Sequence, residues 1–395
     1  MAKTGNAIGL TPGEIQGIQA PGVAINPQLF YAATRRMRFG QATRRSIAGL
    51  GSSDPMTLRQ TGIISALEIR VSGTLEVGTA DVTTMSQNWP HNLLKSAKLS
   101  ANGQSNLINV RGLTLKAHEF ASNPKLCDRS VSHYAGATAY TNGTLSLASE
   151  DWGTGTTYVL GPRHTPGGTD TYSIDLTYIV PVAADPVSLI GSLFAQTTAT
   201  NLALELQWAE QSDLLTIGSA VLTWDLYYEV TTVAYSIPQI NGTFVVPDVT
   251  TFHQFAETGE GGLTSGENEV RLSGVGPGRK LLRVIGQVQS NSAPLAVNST
   301  NYSGFAWRYG GNDTPEAWMN GQGLRYLNER QTGCDIGSPV WGLFMFDFAS
   351  EHALRDVVDE GQTSDLRIMF NLASTPTSGR VQVAQETLFT ASVGA

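Results

Sequence analysis

The sequence predicts an all-β protein of two consecutive barrels, and three observations lead there. Only 15% of the residues are charged, against 41% hydrophobic, with 42 Gly and 17 Pro, a composition that suits many short strands and tight turns better than helices. Apolar residues alternate with polar ones. In "TYSIDLTYIV" Tyr172, Ile174, Leu176, Tyr178 and Val180 share one face and Ser173, Asp175 and Thr177 the other, the pattern of a strand with one wet side. The third observation is length: 395 residues suit two domains that each bury a core.

Residues 1–26 are rich in Gly, Pro, Gln and Ala and read as an extended arm. "NPQLFYAATRRMRFG" follows, with Asn26 as a cap, Pro27 at the first helical position and Gly40 as a stop. On a helical wheel Leu29, Phe30, Ala33 and Met37 share an apolar face, with Arg35, Arg36 and Arg38 mostly around the other sides. This predicts an amphipathic N-terminal helix. From about residue 61 the period becomes two, beginning with "IISALEIRVSGTLEV". "LLKSAKLSANGQSNLINV" predicts a hairpin, because Asn102-Gly103 suits the positive φ angles of a type I′ turn. "GLTLKAHEFASNP" reads as a helix between strands, and residues 128–170, polar and rich in Gly and Thr, as an elaborated loop region with short strands. The strand at 171, "NLALELQWAE" and "SAVLTWDLYYEVTTVAY" bring the first set to about eight strands, the number of a jelly roll.

Pro238, Asn241-Gly242 and Pro247 then interrupt the apolar pattern and mark a boundary. Beyond it "NEVRLSGVGPGRKLLRVIGQVQS" reads as strand, turn and strand, and "DTPEAWMNGQGLRYLNER" as a broken helical segment. "PVWGLFMFDF", "SDLRIMFNL" and "GRVQVAQETLF" are three more strands. The division that follows is an N-terminal arm and helix over 1–60, a first jelly roll over 61–237 and a second over 238–395.

The net charge of −8 is unevenly placed. Residues 1–60 hold seven basic side chains against two acids, +5, which leaves −13 on the remainder. Arg35, Arg36, Arg38, Arg44 and Arg45 fall within eleven residues with no acid among them. Such a cluster is either a solvated helix face or a contact with phosphates, of lipid or of nucleic acid.

No chemistry stands out elsewhere. "GVGPGRK" (274–280) lacks the spacing of a phosphate loop and precedes a strand, so it reads as a hairpin turn. The histidines His91, His118, His133, His164, His253 and His352 form no H-E-x-x-H or H-x-H pair, so no metal site is expected. Cys127 and Cys334 lie far apart with no motif around them, and a disulfide framework is not expected. Glu351, Asp356, Asp359 and Glu360 are close in sequence. Paired carboxylates can hydrolyse glycosides, but on a polar loop they read first as solvated charges. Trp89, Trp208, Trp224 and Trp341 could stack sugars in a lectin, though Trp208 and Trp224 fall on strands and read as core. The first residues lack a secretory h-region, so the sequons at Asn142, Asn241, Asn298 and Asn301 carry no expectation of glycan. Neither catalysis nor a cofactor is expected.

In order, these pieces resemble the double jelly-roll major capsid proteins of tectivirus-like phages, which shell an internal membrane. The resemblance rests on the amphipathic segment, on "NLLKSAKLSANGQSNLINVRGLTLKAHEFASNPK", on "IDLTYIVPVAADPVSLIGSLFAQTTATNLALELQW" and on "YSIPQINGTFVVPDVTTFHQFAETGEGGLTSGENEVRLSGVGPGRKLLRVIGQV". It implies two upright eight-stranded jelly rolls per chain, a short helix at "PVSLIGSLF", and a basal N-terminal helix placing Arg35, Arg36 and Arg38 toward an internal membrane. It also implies a homotrimer with a pseudo-hexagonal outline in an icosahedral virion, in contact with neighbouring capsomers and minor capsid proteins. Lipid is then the first candidate for the anionic neighbour and nucleic acid the second. A two-domain β-sandwich lectin or adhesin is the alternative, and a glycan-active enzyme using Glu351 and Asp356 a third reading.

Overall fold

The computed structural model describes residues 23–79, 83–101, 104–122, 134–135, 144–147, 156–159, 163–164, 168–195, 201–217, 221–272, 278–308, 318–339, 341–349, 358–359 and 366–390. After a short helix α1 (Pro27–Ala33), the first half supplies β1 (Arg36–Ser46), β2 (Ser53–Thr57), β3 (Ile63–Thr79), β4 (Leu94–Ala101), β5 (Gln104–Val110), β6 (Gly168–Pro181), β7 (Leu202–Trp208) and β8 (Val221–Tyr235). A helix α2 (Gly112–Ser122) follows β5. One sheet runs β1-β8-β3-β6 and the other β2-β7-β4-β5. This is the order of a jelly roll, and its strands alternate as the sequence pattern demands. Ile174, Leu176, Tyr178 and Val180 of β6 are buried while Asp175 is exposed, and β7 buries Leu202, Leu204, Leu206 and Trp208. The chain turns between β4 and β5 at Ala101↔Gln104, the hairpin that Asn102-Gly103 predicts.

The second half repeats the order. Its strands are β9 (Thr251–Gly261), β10 (Gly266–Arg271), β11 (Arg279–Ser290), β12 (Tyr302–Arg308), β13 (Leu343–Asp347), β14 (Arg367–Leu372) and β15 (Arg380–Thr390). They form β9-β15-β11-β13 and β10-β14-β12. Among the described residues the fifth strand position is reduced to a bridge from Met319 to Phe305 of β12. Helix α3 (Gly321–Thr332) follows that bridge as α2 follows β5. Asn320 caps α3, its Oδ1 accepting from Gly323 N at 2.7 Å, and Gly333 closes it in the left-handed region at φ 65°. In mid-helix Asn328 copies a strand edge: its Nδ2 donates to Met345 O at 2.7 Å and its Oδ1 accepts from Met345 N at 2.9 Å. The helix is thereby fixed on β13.

The rolls are joined through backbone as well as through packing. β9 pairs with β5 in parallel at Phe255↔Ile108 and Ala256↔Asn109, so one sheet runs continuously from the first roll into the second. The larger apolar core, around Tyr178, Trp208 and Tyr228, extends across this junction to Phe252, Phe255, Ile285, Met345 and Ala384. A second core around Tyr302, Phe305, Phe344 and Phe370 belongs to the second roll alone. At the junction Gly191, with φ +83°, approaches so closely that a Cβ there would lie 2.6 Å from the Cβ of His253.

Four expectations are corrected. The N-terminal helix ends at Ala33, where the sequence pattern extends it to Gly40. Thr34 is extended (φ −69°, ψ 157°), its hydroxyl donates to Ser236 O at 2.6 Å, and Arg36 onward pairs with β8 at Tyr235↔Arg36 and Ala234↔Met37. Sheet pairing has overridden a helical pattern. Gly266–Arg271 and Arg279–Ser290 lie in opposite sheets, so these two strands are not the arms of one hairpin, and residues 274–277 of "GVGPGRK" lie outside the described residues. "PVSLIGSLF" opens with a turn and not a helix, the Asp185 carboxylate accepting from Val187 N at 3.0 Å and Ser188 N at 2.8 Å. Cys334, finally, is disulfide-bonded, and the sequence has one other cysteine, Cys127, outside the described residues.

Candidate functional site

The predicted apolar helix face does not exist as a single surface. Phe30 is fully buried in the first core, Leu29 is 46% exposed, and Ala33 is exposed at the helix end. Met37 belongs to β1, where it and Phe39 turn inward against the core while Arg36 and Arg38 turn outward. The arginines instead line an edge strand, since β1 ends the sheet β1-β8-β3-β6. Arg38 pairs with Glu68, and the Arg44 guanidinium lies 4.3 Å from the centre of the Tyr227 ring. Arg35, Arg36 and Arg45 are exposed, and the Arg35 backbone N–H donates to Ser236 Oγ at 2.9 Å. Charged side chains along a sheet edge discourage unwanted strand addition, and here they form a basic rim. Ile25, Leu29, Tyr31 and Phe244 are large apolar side chains left exposed on α1 and the small sheet of Val23–Ile25, Gln239–Ile240 and Thr243–Val246 beside it.

Among the described residues, a concentrated polar site lies between the rolls, and no sequence motif announced it. Glu386 of β15 receives His118 Nε2 of α2 at 3.1 Å and His253 Nε2 of β9 at 3.0 Å on its Oε1. Arg283 of β11 donates to its Oε2 at 3.0 Å and reaches Asp347 Oδ2 of β13 at 3.2 Å. His253 Nδ1 lies 2.9 Å from the carbonyl of Pro181, at the end of β6. Two of these contacts, His118 to Glu386 and His253 to Pro181, cross from one roll to the other. Beside them Arg111 Nε donates to Glu257 Oε1 at 2.7 Å and its NH1 to Gln287 Oε1 at 3.1 Å. Gln287 Nε2 in turn donates to Asn88 Oδ1 at 3.1 Å.

Burial sets the electrostatics here. It pushes the Glu386 carboxyl up, but His118, Arg283 and the imidazole hydrogen bonds outweigh it and hold that group well below the usual carboxylate range. Burial pushes His118 down, and the Glu386 charge does not fully offset it. For Arg283 burial is outweighed by Glu386 and Asp347, which hold its guanidinium protonated. Charges this deep persist because each has an opposite charge and hydrogen bonds in reach.

Other candidates find no site. Trp89 and Trp208 are buried, Trp224 donates from Nε1 to Ile47 O at 3.0 Å, and Trp341 stacks on His91 with ring centres 4.8 Å apart. None of the four offers a free ring platform of the kind a lectin uses. Glu351, Asp356 and Glu360 lie outside the described residues, as does the side chain of Asp359. Among the described residues no group of three or more His, Cys, Asp or Glu could hold a metal ion.

Two jelly rolls of one strand order in a single chain, bonded through a shared sheet, define a double jelly roll, the fold found in viral major capsid proteins. In particular, the chain is similar to the major capsid protein of Sulfolobus turreted icosahedral virus, with a TM-score of 0.62 at 12% identity over 90% of this chain and 97% of that one. A second structure from that virus matches with a TM-score of 0.59 at 13% identity over 90% of this chain and 91% of the other. The capsid of the virus PBCV-1 matches with a TM-score of 0.52 at 10% identity over 92% and 96% of the two chains. By sequence, no family model and no curated protein matches.

Proposed function

We propose that the chain is a major capsid protein, a structural unit of a virion shell with no reaction to run. The observation that supports this reading most is the repeated strand order of the two rolls, aligned over nine-tenths of the chain with viral capsid structures of the same fold. On this reading residues 61–237 and 238–395 are the two rolls as units of assembly, with β1 and β2 of the N-terminal segment completing the first. Three copies form a homotrimer of pseudo-hexagonal outline, which tiles an icosahedral virion beside neighbouring capsomers and minor capsid proteins. The virus is a tectivirus-like phage, and the exposed Leu29 and Tyr31 with Arg35, Arg36, Arg38, Arg44 and Arg45 face its internal membrane. Amphipathic surfaces flanked by arginine suit an anionic bilayer, since apolar side chains enter the interface while guanidiniums meet phosphates. Nucleic acid is the second candidate for that surface.

Light scattering after size exclusion tests the assembly, a mass three times that of the chain being expected and a stable monomer refuting it. Flotation with vesicles containing about one-third phosphatidylglycerol tests the membrane contact. Leu29→Asp with Arg36→Glu should abolish co-flotation without changing the trimer. Unaltered flotation would remove the membrane from the proposal, and preferential binding to duplex DNA would assign the surface to nucleic acid.

A further inference from the structure

The two imidazoles that meet on Glu386 Oε1 are not equivalent. His253 Nδ1 faces the Pro181 carbonyl at 2.9 Å, which only accepts, and its Nε2 faces the Glu386 carboxylate at 3.0 Å. Both of its nitrogens therefore face acceptors. His118 needs only one proton, on Nε2, to donate to the same oxygen at 3.1 Å. Arg283 already lies between Glu386 and Asp347 in the same buried cluster, as its resident cation. A proton taken up by His118 would add a second cation beside Arg283 in a place closed to water, against the Phe255 ring, whose centre is 5.2 Å from that of His118.

We propose that this junction is an acid-operated release, in which proton uptake by His118 frees the first jelly roll from the second along the β5–β9 seam. The groups facing His118 are Glu386 from β15, Arg283 from β11 and His253 from β9, with Asp347 of β13 behind Arg283. Arg111 and Glu257 form the next ion pair along the seam. Lys116 and Glu119 of α2 pair with each other. The sign follows from linkage. Burial holds His118 below the ordinary 6.5 in the docked state, so an undocked ring binds the proton more readily, and acid favours undocking below about pH 6.5. Glu386, held below its ordinary value, acts in the same direction at lower pH. Uptake of one proton sets a limit of about tenfold in the opening equilibrium per pH unit. The inference concerns the junction alone and does not depend on the capsid reading.

Hydrogen exchange on the full-length protein from about pH 8 to about pH 5, expressed as protection factors, tests it. Protection in segments 104–110 and 251–261 should fall about tenfold or more across that range, while the β3–β8 pair changes little. His118→Gln, which keeps one donor and cannot take up a proton, should make the seam insensitive to pH. Flat protection in the wild-type protein overturns the proposal, as does a variant that loses protection as the wild type does. If His118→Gln does not fold, the wild-type series decides by itself, because seam and reference strands are read in one molecule.

Discussion

Replacing Glu386 by Gln keeps the shape of the buried cluster and removes its central charge. The side chains of Glu386, Asp347 and Arg283 are only 1%, 2% and 6% exposed, so water cannot take over the lost interaction. Arg283 would keep Asp347 alone, and the two imidazoles would face a neutral amide. Breaking one partner out of a buried ion pair costs about 3–5 kcal/mol, and that loss is expected for Glu386→Gln in urea unfolding followed by tryptophan fluorescence. Arg283→Met should cost a similar amount, since it leaves Glu386 and Asp347 without their shared cation. In the double variant the two losses should overlap, with a coupling of about 1–3 kcal/mol. A cost under about 1 kcal/mol for Glu386→Gln, or strict additivity of the two changes, would refute the view that this cluster stabilises the docked rolls.

Three more outcomes follow from the packing. Met37→Glu should destabilise the protein by about 2–4 kcal/mol, because Met37 faces the core from β1, whereas Arg36→Glu next to it should change thermal stability by less than about 0.5 kcal/mol; equal effects would contradict the strand. Asn328→Ala removes both hydrogen bonds to Met345 and should cost about 2–3 kcal/mol in a denaturant melt, and Asn328→Asp, which buries a carboxylate against the Met345 carbonyl, should cost at least as much at neutral pH. Protein unfolded without reductant should show no reactive thiol, and reduction should release two while lowering stability by about 2–4 kcal/mol; free thiol before reduction would exclude the Cys334 disulfide.

What could be read from the sequence was whatever one period determines. β6 and β7 bury one face of a sheet, so their alternation was visible without a partner strand. Helix α2 was legible because "GLTLKAHEFASNP" departs from that period between two clear strands. β1 was ambiguous for a physical reason: Leu29, Phe30, Ala33 and Met37 fit a helical face, while Met37 and Phe39 between Arg36, Arg38 and Gly40 fit a strand. Only pairing with β8 decides between them. The signal for the strand was present in "RMRFG" but was overshadowed by the good helix start at Asn26-Pro27. The cluster at Glu386 could not be found that way, since its partners His118 and His253 are 268 and 133 residues distant in the chain and each looks ordinary in its own segment. The fifth position of the second roll was hidden because a bridge at Met319 has no periodicity at all.

The parallel contact between β5 and β9 is only two residues long, yet it covers the flank that each roll would otherwise present to solvent. Cutting the gene near Pro238 would therefore yield fragments with an uncovered flank apiece, apt to recruit foreign strands. Co-expressed, the fragments should find each other and restore a soluble pair, as matched halves of a split reporter do. The polypeptide is thus one object made by repetition, and its parts should not be interchangeable with freestanding copies of either.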